Sequence, residues 1–143
     1  MLLVPTKLNE DSSKPAQGRK GDAGYDLCSA TEIRLKPFER ALVPTGVHIE
    51  LPEGYGGFVL PRSGLAIKKG LSVVNAPGLI DSNYRGEIQV IAINLDPKEE
   101  IIISKGDRIA QLVVMRVEEV AFEQVTELTD SNRGDAGFGS SGI

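Results

Sequence analysis

Apolar and polar positions alternate through most of the chain with the period of two that marks half-buried strands. In Val47-His48-Ile49-Glu50-Leu51 the apolar residues share one face and His48 and Glu50 share the other, which predicts a solvent-facing histidine. The same pattern predicts short strands over 4–8, 33–35, 40–43, 46–51, 55–60, 71–74, 87–95, 101–103, 108–117 and 120–125. Pro5 places the first of them at a sheet edge. Lys36-Pro37, Pro52-Glu53-Gly54, Asp96-Pro97 and Lys105-Gly106-Asp107 supply the turns between them. One stretch departs from the alternation: Pro61 to Gly70 predicts about two turns of helix, with Ser63 as N-cap, Lys68 and Lys69 at the C-terminal end and Gly70 as the residue that ends it. Short strands at this spacing predict an all-β sandwich, jelly roll or barrel.

The length of 143 residues suits one domain with a substantial core. No apolar run approaches the roughly 20 residues that span a bilayer, and MLLVPTKLNED lacks the basic start and apolar length of a signal peptide. A cytoplasmic protein without membrane contact is expected. One cysteine, Cys28, excludes a disulfide framework within the chain, and one histidine, His48, leaves too few ligands for structural zinc. A net charge of −4 gives no support to broad nucleic-acid binding, and any anionic ligand would need local arginines or a metal.

Five stretches could carry chemistry. The central one is GLIDSNYRGEI, Gly78 to Ile88, where Asp81, Tyr84 and Arg85 lie within five positions of a turn between two strand-like runs. Asp, Ser, Asn and Gly are also ordinary turn residues, so taken alone the stretch reads first as an ordinary hairpin. In DAGYDL, Asp22 and Asp26 suit a hydrated cation or simply a turn. Arg62-Ser63-Gly64 at the start of the short helix offers N–H groups, a guanidinium and a hydroxyl to an anion, or plain capping. Within GDRIAQL, Gln111 stands among apolar neighbours and needs a partner, either a buried backbone group or a ligand. The tail RGDAGFGSSG offers a phosphate-wrapping peptide with a stacking ring, Phe138, or a disordered end; it lacks the Lys-Ser/Thr pair of a Walker loop.

Taken together and in this order, DAGYDL, PRSGLA, GLIDSNYRGEI, GDRIAQL and RGDAGFGSSG resemble the five motifs of the trimeric dUTP diphosphatase (dUTPase) family, over Asp22 to Gly142. The resemblance implies an all-β fold, a distorted jelly-roll or β-clip-like barrel with one short helix. It implies a core over 1–128 and a flexible C-terminal arm over 129–143 that closes over a neighbouring active site. It also implies Mg²⁺-dependent hydrolysis of dUTP to dUMP and pyrophosphate by water attack at the α-phosphorus, which lowers dUTP and supplies dUMP for thymidylate synthesis.

By resemblance, Asp81 is the base that activates the water, and Tyr84 packs on the deoxyribose and rejects a 2′-hydroxyl. Asn75, the backbone of Leu79, Ile80 and Asp81, and Gln89 nearby bind uracil. Arg62, Ser63, Gly64 and Gln111 hold the phosphates. Phe138 stacks on the base, while Arg133, Gly139, Ser140 and Ser141 reach the phosphates. Mg²⁺ sits on phosphate oxygens and waters, with Asp26 as a possible contact to that water shell. The family's homotrimer shares its three sites between subunits.

Two other functions are compatible with parts of this pattern. A dCTP deaminase shares the fold but needs a glutamate after Arg62-Ser63, and Gly64 to Gly70 contains none. A nucleotide- or protein-binding β module would turn nothing over; parallel assays with dUTP, dTTP, dCTP and UTP separate it from an enzyme.

Overall fold

The computed structural model describes residues 1–132, 134 and 135; Arg133 and residues 136–143 lie outside that description. Ten strands and one helix follow in the order β1 (Thr6–Leu8), β2 (Tyr25–Cys28), β3 (Ile33–Leu35), β4 (Arg40–Ile49), β5 (Tyr55–Pro61), α1 (Ser63–Lys69), β6 (Leu71–Val73), β7 (Gly78–Ile80), β8 (Ile88–Asn94), β9 (Ile101–Ile103) and β10 (Arg108–Arg116). All strand pairs are antiparallel. One four-stranded sheet runs β1-β4-β8-β6, a second runs β2-β10-β5-β7, and β3-β9 form a ribbon. The all-β reading with one short helix therefore holds.

Alternation builds the core. On β8, Ile88, Val90 and Ala92 point inward, where they meet Val43, Val47, Leu27, Leu112 and Val59. Full burial of a side chain of this size contributes about 1.5–3 kcal/mol. The three buried polar residues are satisfied, Ser29 through its hydroxyl to the Thr31 carbonyl at 2.6 Å. The Asn94 amide donates to the carbonyls of Leu35 (2.9 Å) and Glu99 (2.8 Å) and accepts from Asp96 N–H (2.8 Å), tying the β3-β9 ribbon to the first sheet. Thr45 Oγ1 donates to the Ile88 carbonyl at 2.5 Å.

Several predicted boundaries change. The runs 40–43 and 46–51 form one strand through Pro44, with a bulge between Pro44 and Val47 that absorbs the break. Ser63 does not cap α1: Arg62 occupies the N-cap position in extended conformation (φ −93°, ψ 123°), and no side chain caps the helix. Gly70 does end it, in the left-handed region at φ 67°, and its N–H bonds the Ala66 carbonyl at 3.0 Å. The predicted strand over 120–125 is absent. Those residues form no ladder, and Val120, Phe122, Val125 and Leu128 are exposed. DAGYDL, read only as a strand or turn, supplies β2.

Candidate active site

The second sheet assembles a pocket at one of its ends. Register places Gln111 of β10 opposite Asp26 of β2 on one side and Leu60 of β5 on the other, one residue from Pro61 and two from Arg62. The pocket has a volume of about 540 Å³ and is lined by Asp22, Gly24, Asp26, Arg62, Ser63, Gly64, Lys68, Arg108 and Gln111, among others. Three cationic side chains and the start of a helix face one cavity, against two carboxylates, Asp22 and Asp26, which leaves a local excess of positive charge in an acidic protein.

Asp26 organises the cations. Its Oδ1 lies 2.8 Å from Arg62 Nε and its Oδ2 lies 3.4 Å from Arg108 Nη1. Arg62 also donates through Nη1 to the Arg108 carbonyl at 3.1 Å. Two of its nitrogens are therefore tied to the protein, and its plane is set before any ligand arrives. The open partner question for Gln111 has its answer here: Nε2 donates to the Pro61 carbonyl at 2.9 Å. Gly24 is needed for that pose, because a Cβ there would come within 3.1 Å of Gln111 Cδ. Gly64 differs: a Cβ there would meet nothing within 4 Å and its φ is not positive, so neither packing nor backbone conformation demands glycine. Cys28, the β2 neighbour of Arg108, has its thiol pKa pushed up by burial and then by the Asp26 charge.

Arg108 and Lys68 are the cationic pocket residues that the sequence alone does not assign. Strict alternation puts positions 108 and 111 on opposite faces. A bulge between Arg108 and Ala110 shifts the register, buries Ile109 and Ala110 together, and lets Arg108 join Gln111 at the pocket. Lys68 was read as a helix-end charge; it lies four residues after Gly64, one helical turn on, which is the spacing that could have found it.

The predicted hairpin forms a second cluster. β7 pairs with β5, with Gly78 opposite Val59, Leu79 opposite Phe58 and Ile80 opposite Gly57. Asp81 opens the turn and is exposed. The Tyr84 ring lies over Gly86, where a Cβ would fall 2.8 Å from Cε2, and its hydroxyl donates to the Glu87 carbonyl at 2.9 Å. The Asn75 side chain lies beside Gly78, where a Cβ would be 3.4 Å from Nδ2. Gln89 is exposed on β8 opposite Pro44; continuing the β6-β8 register past Val74 brings Asn75 level with Val90, next to Gln89.

These two clusters do not meet within one chain. The β5-β7 register puts Asp81 near the level of Gly56, six residues before Arg62, which follows the end of that strand, roughly 20 Å away at about 3.3 Å per residue. The third expected group, Arg133, Phe138, Gly139, Ser140 and Ser141, falls outside the described residues.

Comparison with known proteins places this arrangement. The dUTPase family model matches residues 10–142. The chain belongs to the dUTPase family. It is 54% identical over 136 residues to the deoxyuridine 5′-triphosphate nucleotidohydrolase of Streptomyces avermitilis, covering 95% of this chain and 78% of that one. It is 54% identical over 142 residues to the Rhodococcus erythropolis protein of the same name, covering 99% and 87%. Among solved structures, the dUTPase of Staphylococcus bacteriophage 80alpha with dUPNHPP superposes with a TM-score of 0.92 at 32% identity, covering all of both chains. A variant dUTPase from phage phi11 of S. aureus, described for its coordination of a structural Mg(II) ion, superposes with a TM-score of 0.82 at 28% identity, over 90% of this chain and 100% of that one. Among the described residues, no helix is long and apolar enough to cross a membrane.

Proposed function

We propose that this dUTPase hydrolyses dUTP to dUMP and pyrophosphate, with the phosphates in the Asp26-Arg62-Arg108 pocket and the nucleoside against the Gly78–Glu87 turn of another subunit. The observation that carries this reading is the pocket itself, where a pre-oriented Arg62, a helix start with no side-chain cap and an open Gly64 face a cavity of about 540 Å³. Phosphoryl transfer requires mainly positioning and charge stabilisation, and these groups supply both.

In this reading Asp81 takes a proton from the attacking water; its exposed place at the head of a turn leaves it free to do so. Tyr84 presents its ring to the deoxyribose, where a 2′-hydroxyl would collide. Asn75, the Leu79–Asp81 backbone and Gln89 form the uracil edge, and the buried Gly78 leaves Asn75 room to approach. Arg62, Ser63 and Gly64 bind phosphate oxygens. Gln111 assists from the amide oxygen left free by its bond to Pro61. Arg133, Phe138, Gly139, Ser140 and Ser141 close from the arm.

Mg²⁺ would be bound here through the substrate's phosphates and waters and would supply charge neutralisation. Asp26, which lines the pocket with its oxygens facing Arg62 and Arg108, would be the carboxylate nearest to that water shell.

We further propose a homotrimer with shared sites, a core over 1–128 and an arm over 129–143, in the cytoplasm. Three features support an assembly. The clusters are separated along β5. Leu42 and Val74 are exposed beside Ile91 on the outer face of the first sheet. Among the described residues, Val117, Val120, Phe122, Val125 and Leu128 form an exposed apolar run. The test is pyrophosphate release from dUTP, dTTP, dCTP and UTP in parallel, with and without Mg²⁺. Rapid release from dUTP alone is expected; equal cleavage of UTP, or an intact dUTP pool with Mg²⁺, would overturn the reading.

A further inference from the structure

We propose that His48 is a positioning residue for the turn bearing Asp81 and Tyr84, acting with Glu50 and Arg85 as a brace between β4 and that turn; this rests on the dUTP reading above. His48 and Glu50 lie outside all five stretches singled out in the sequence. The β4-β8 ladder ends at Val47 opposite Ile88, so the turn from Asp81 to Glu87 extends past its last strand hydrogen bonds on that side. Three groups at alternate positions of the β4 edge replace them. Gly46 N–H donates to Glu87 Oε1 at 2.6 Å. His48 Nδ1 lies 3.1 Å from the Arg85 carbonyl oxygen. Glu50 Oε1 lies 3.4 Å from Arg85 Nη2.

The chemistry of the middle contact is one-sided. A carbonyl oxygen only accepts, so Nδ1 carries the proton and donates. Arg85 passes the restraint on: its Nη1 donates to the carbonyls of Ser82 at 2.7 Å and Tyr84 at 2.9 Å, on the stretch between Asp81 and the ring. The Tyr84 hydroxyl in turn bonds the Glu87 carbonyl, and the ring rests on Gly86. Ring orientation thus depends on the backbone from Arg85 to Glu87, the segment that His48 and Gly46 hold from β4. His48 is half-buried on the polar face that the alternation predicted, and that face is partly roofed by the turn instead of open to solvent.

The test compares wild type with His48→Ala, His48→Asn and His48→Gln. The Asn amide nitrogen occupies roughly the place of Nδ1, and that of Gln does not. In the Ala and Gln variants, kcat/KM for dUTP falls and the preference for dUTP over UTP narrows, each about fivefold, as for loss of one net hydrogen bond. The Asn variant restores both to within about twofold. Unchanged kinetics in Ala, or Asn as impaired as Ala, overturns the proposal. Amide hydrogen exchange at Asn83 to Gly86 provides a readout that needs no turnover: faster in Ala, restored in Asn. A brace confirmed by exchange in a protein that leaves dUTP intact would refute the dUTP reading alone. If His48→Ala fails to fold, Glu50→Gln carries the same test, with narrowed preference expected and an unchanged one fatal.

Discussion

Asp26 pairs with Arg62 in a partly enclosed contact: Nε lies 2.8 Å from Oδ1, with 17% of the aspartate side chain accessible and 27% of the arginine. The same carboxylate faces Arg108 at 3.4 Å. Asp26→Asn would leave two guanidinium groups adjacent without a counter-charge. The expected loss is about 1–2 kcal/mol of stability, discounted because Arg108 is more than half exposed and screened. Urea denaturation measures it, and an unchanged midpoint would show that solvent already neutralises the array. KM for dUTP should rise as well, because Arg62 loses the bond that sets its plane.

Asp81→Asn keeps the volume of the side chain and removes its basicity. Nucleotide binding, read by titration with dUMP, should survive, while turnover falls by about 10²–10⁴-fold, the range for a lost general base. Near-normal pyrophosphate release from this variant would remove Asp81 from that role.

Deletion of the residues after Thr129 should impair catalysis and leave the melting transition in place. Among the described residues of the deleted segment, 130–132, 134 and 135, none is buried or in a ladder. Loss of the transition on truncation would make the arm part of the core.

The Cys28 thiol should alkylate slowly at neutral pH. Burial, then the Asp26 charge, raises its pKa, so the reactive thiolate is scarcer than in an ordinary cysteine. The sign for stability follows: with the folded pKa raised, the contribution is complete below the ordinary thiol pKa and is lost as pH rises through the folded value. Iodoacetamide labelling across pH tests this. Labelling as fast as a free thiol near pH 7 would contradict it.

Legibility differed between elements for physical reasons. Strands such as Ile88–Asn94 were readable because one face is buried along their whole length, so their pattern is their burial. The segment 120–125 carries a strand-like pattern yet forms no ladder, because a pattern reports apolar residues and not whether a neighbour exists in the same chain to receive them. Ser63 is a good cap by residue type, but the helix begins one residue earlier at an extended Arg62. Of the candidate site, Asp81, Tyr84, Arg62 and Gln111 stand out in the sequence as polar residues in unusual company. Arg108 was not, because the bulge that turns it toward Gln111 depends on pairing with β2. His48 was placed on the correct face, but its partner lies 37 residues away, beyond any local period.

The register between β5 and β7, which sets Asp81 and the Arg62-Arg108 pocket at opposite ends of one strand, has a genetic consequence under the proposed shared site. Two defective alleles, one altered at Asp81 and the other at Arg62, should rescue each other when co-expressed, because mixed assemblies contain some junctions where both contributing halves are intact. A hydrolase whose whole reaction centre lies within a single polypeptide gives no such complementation.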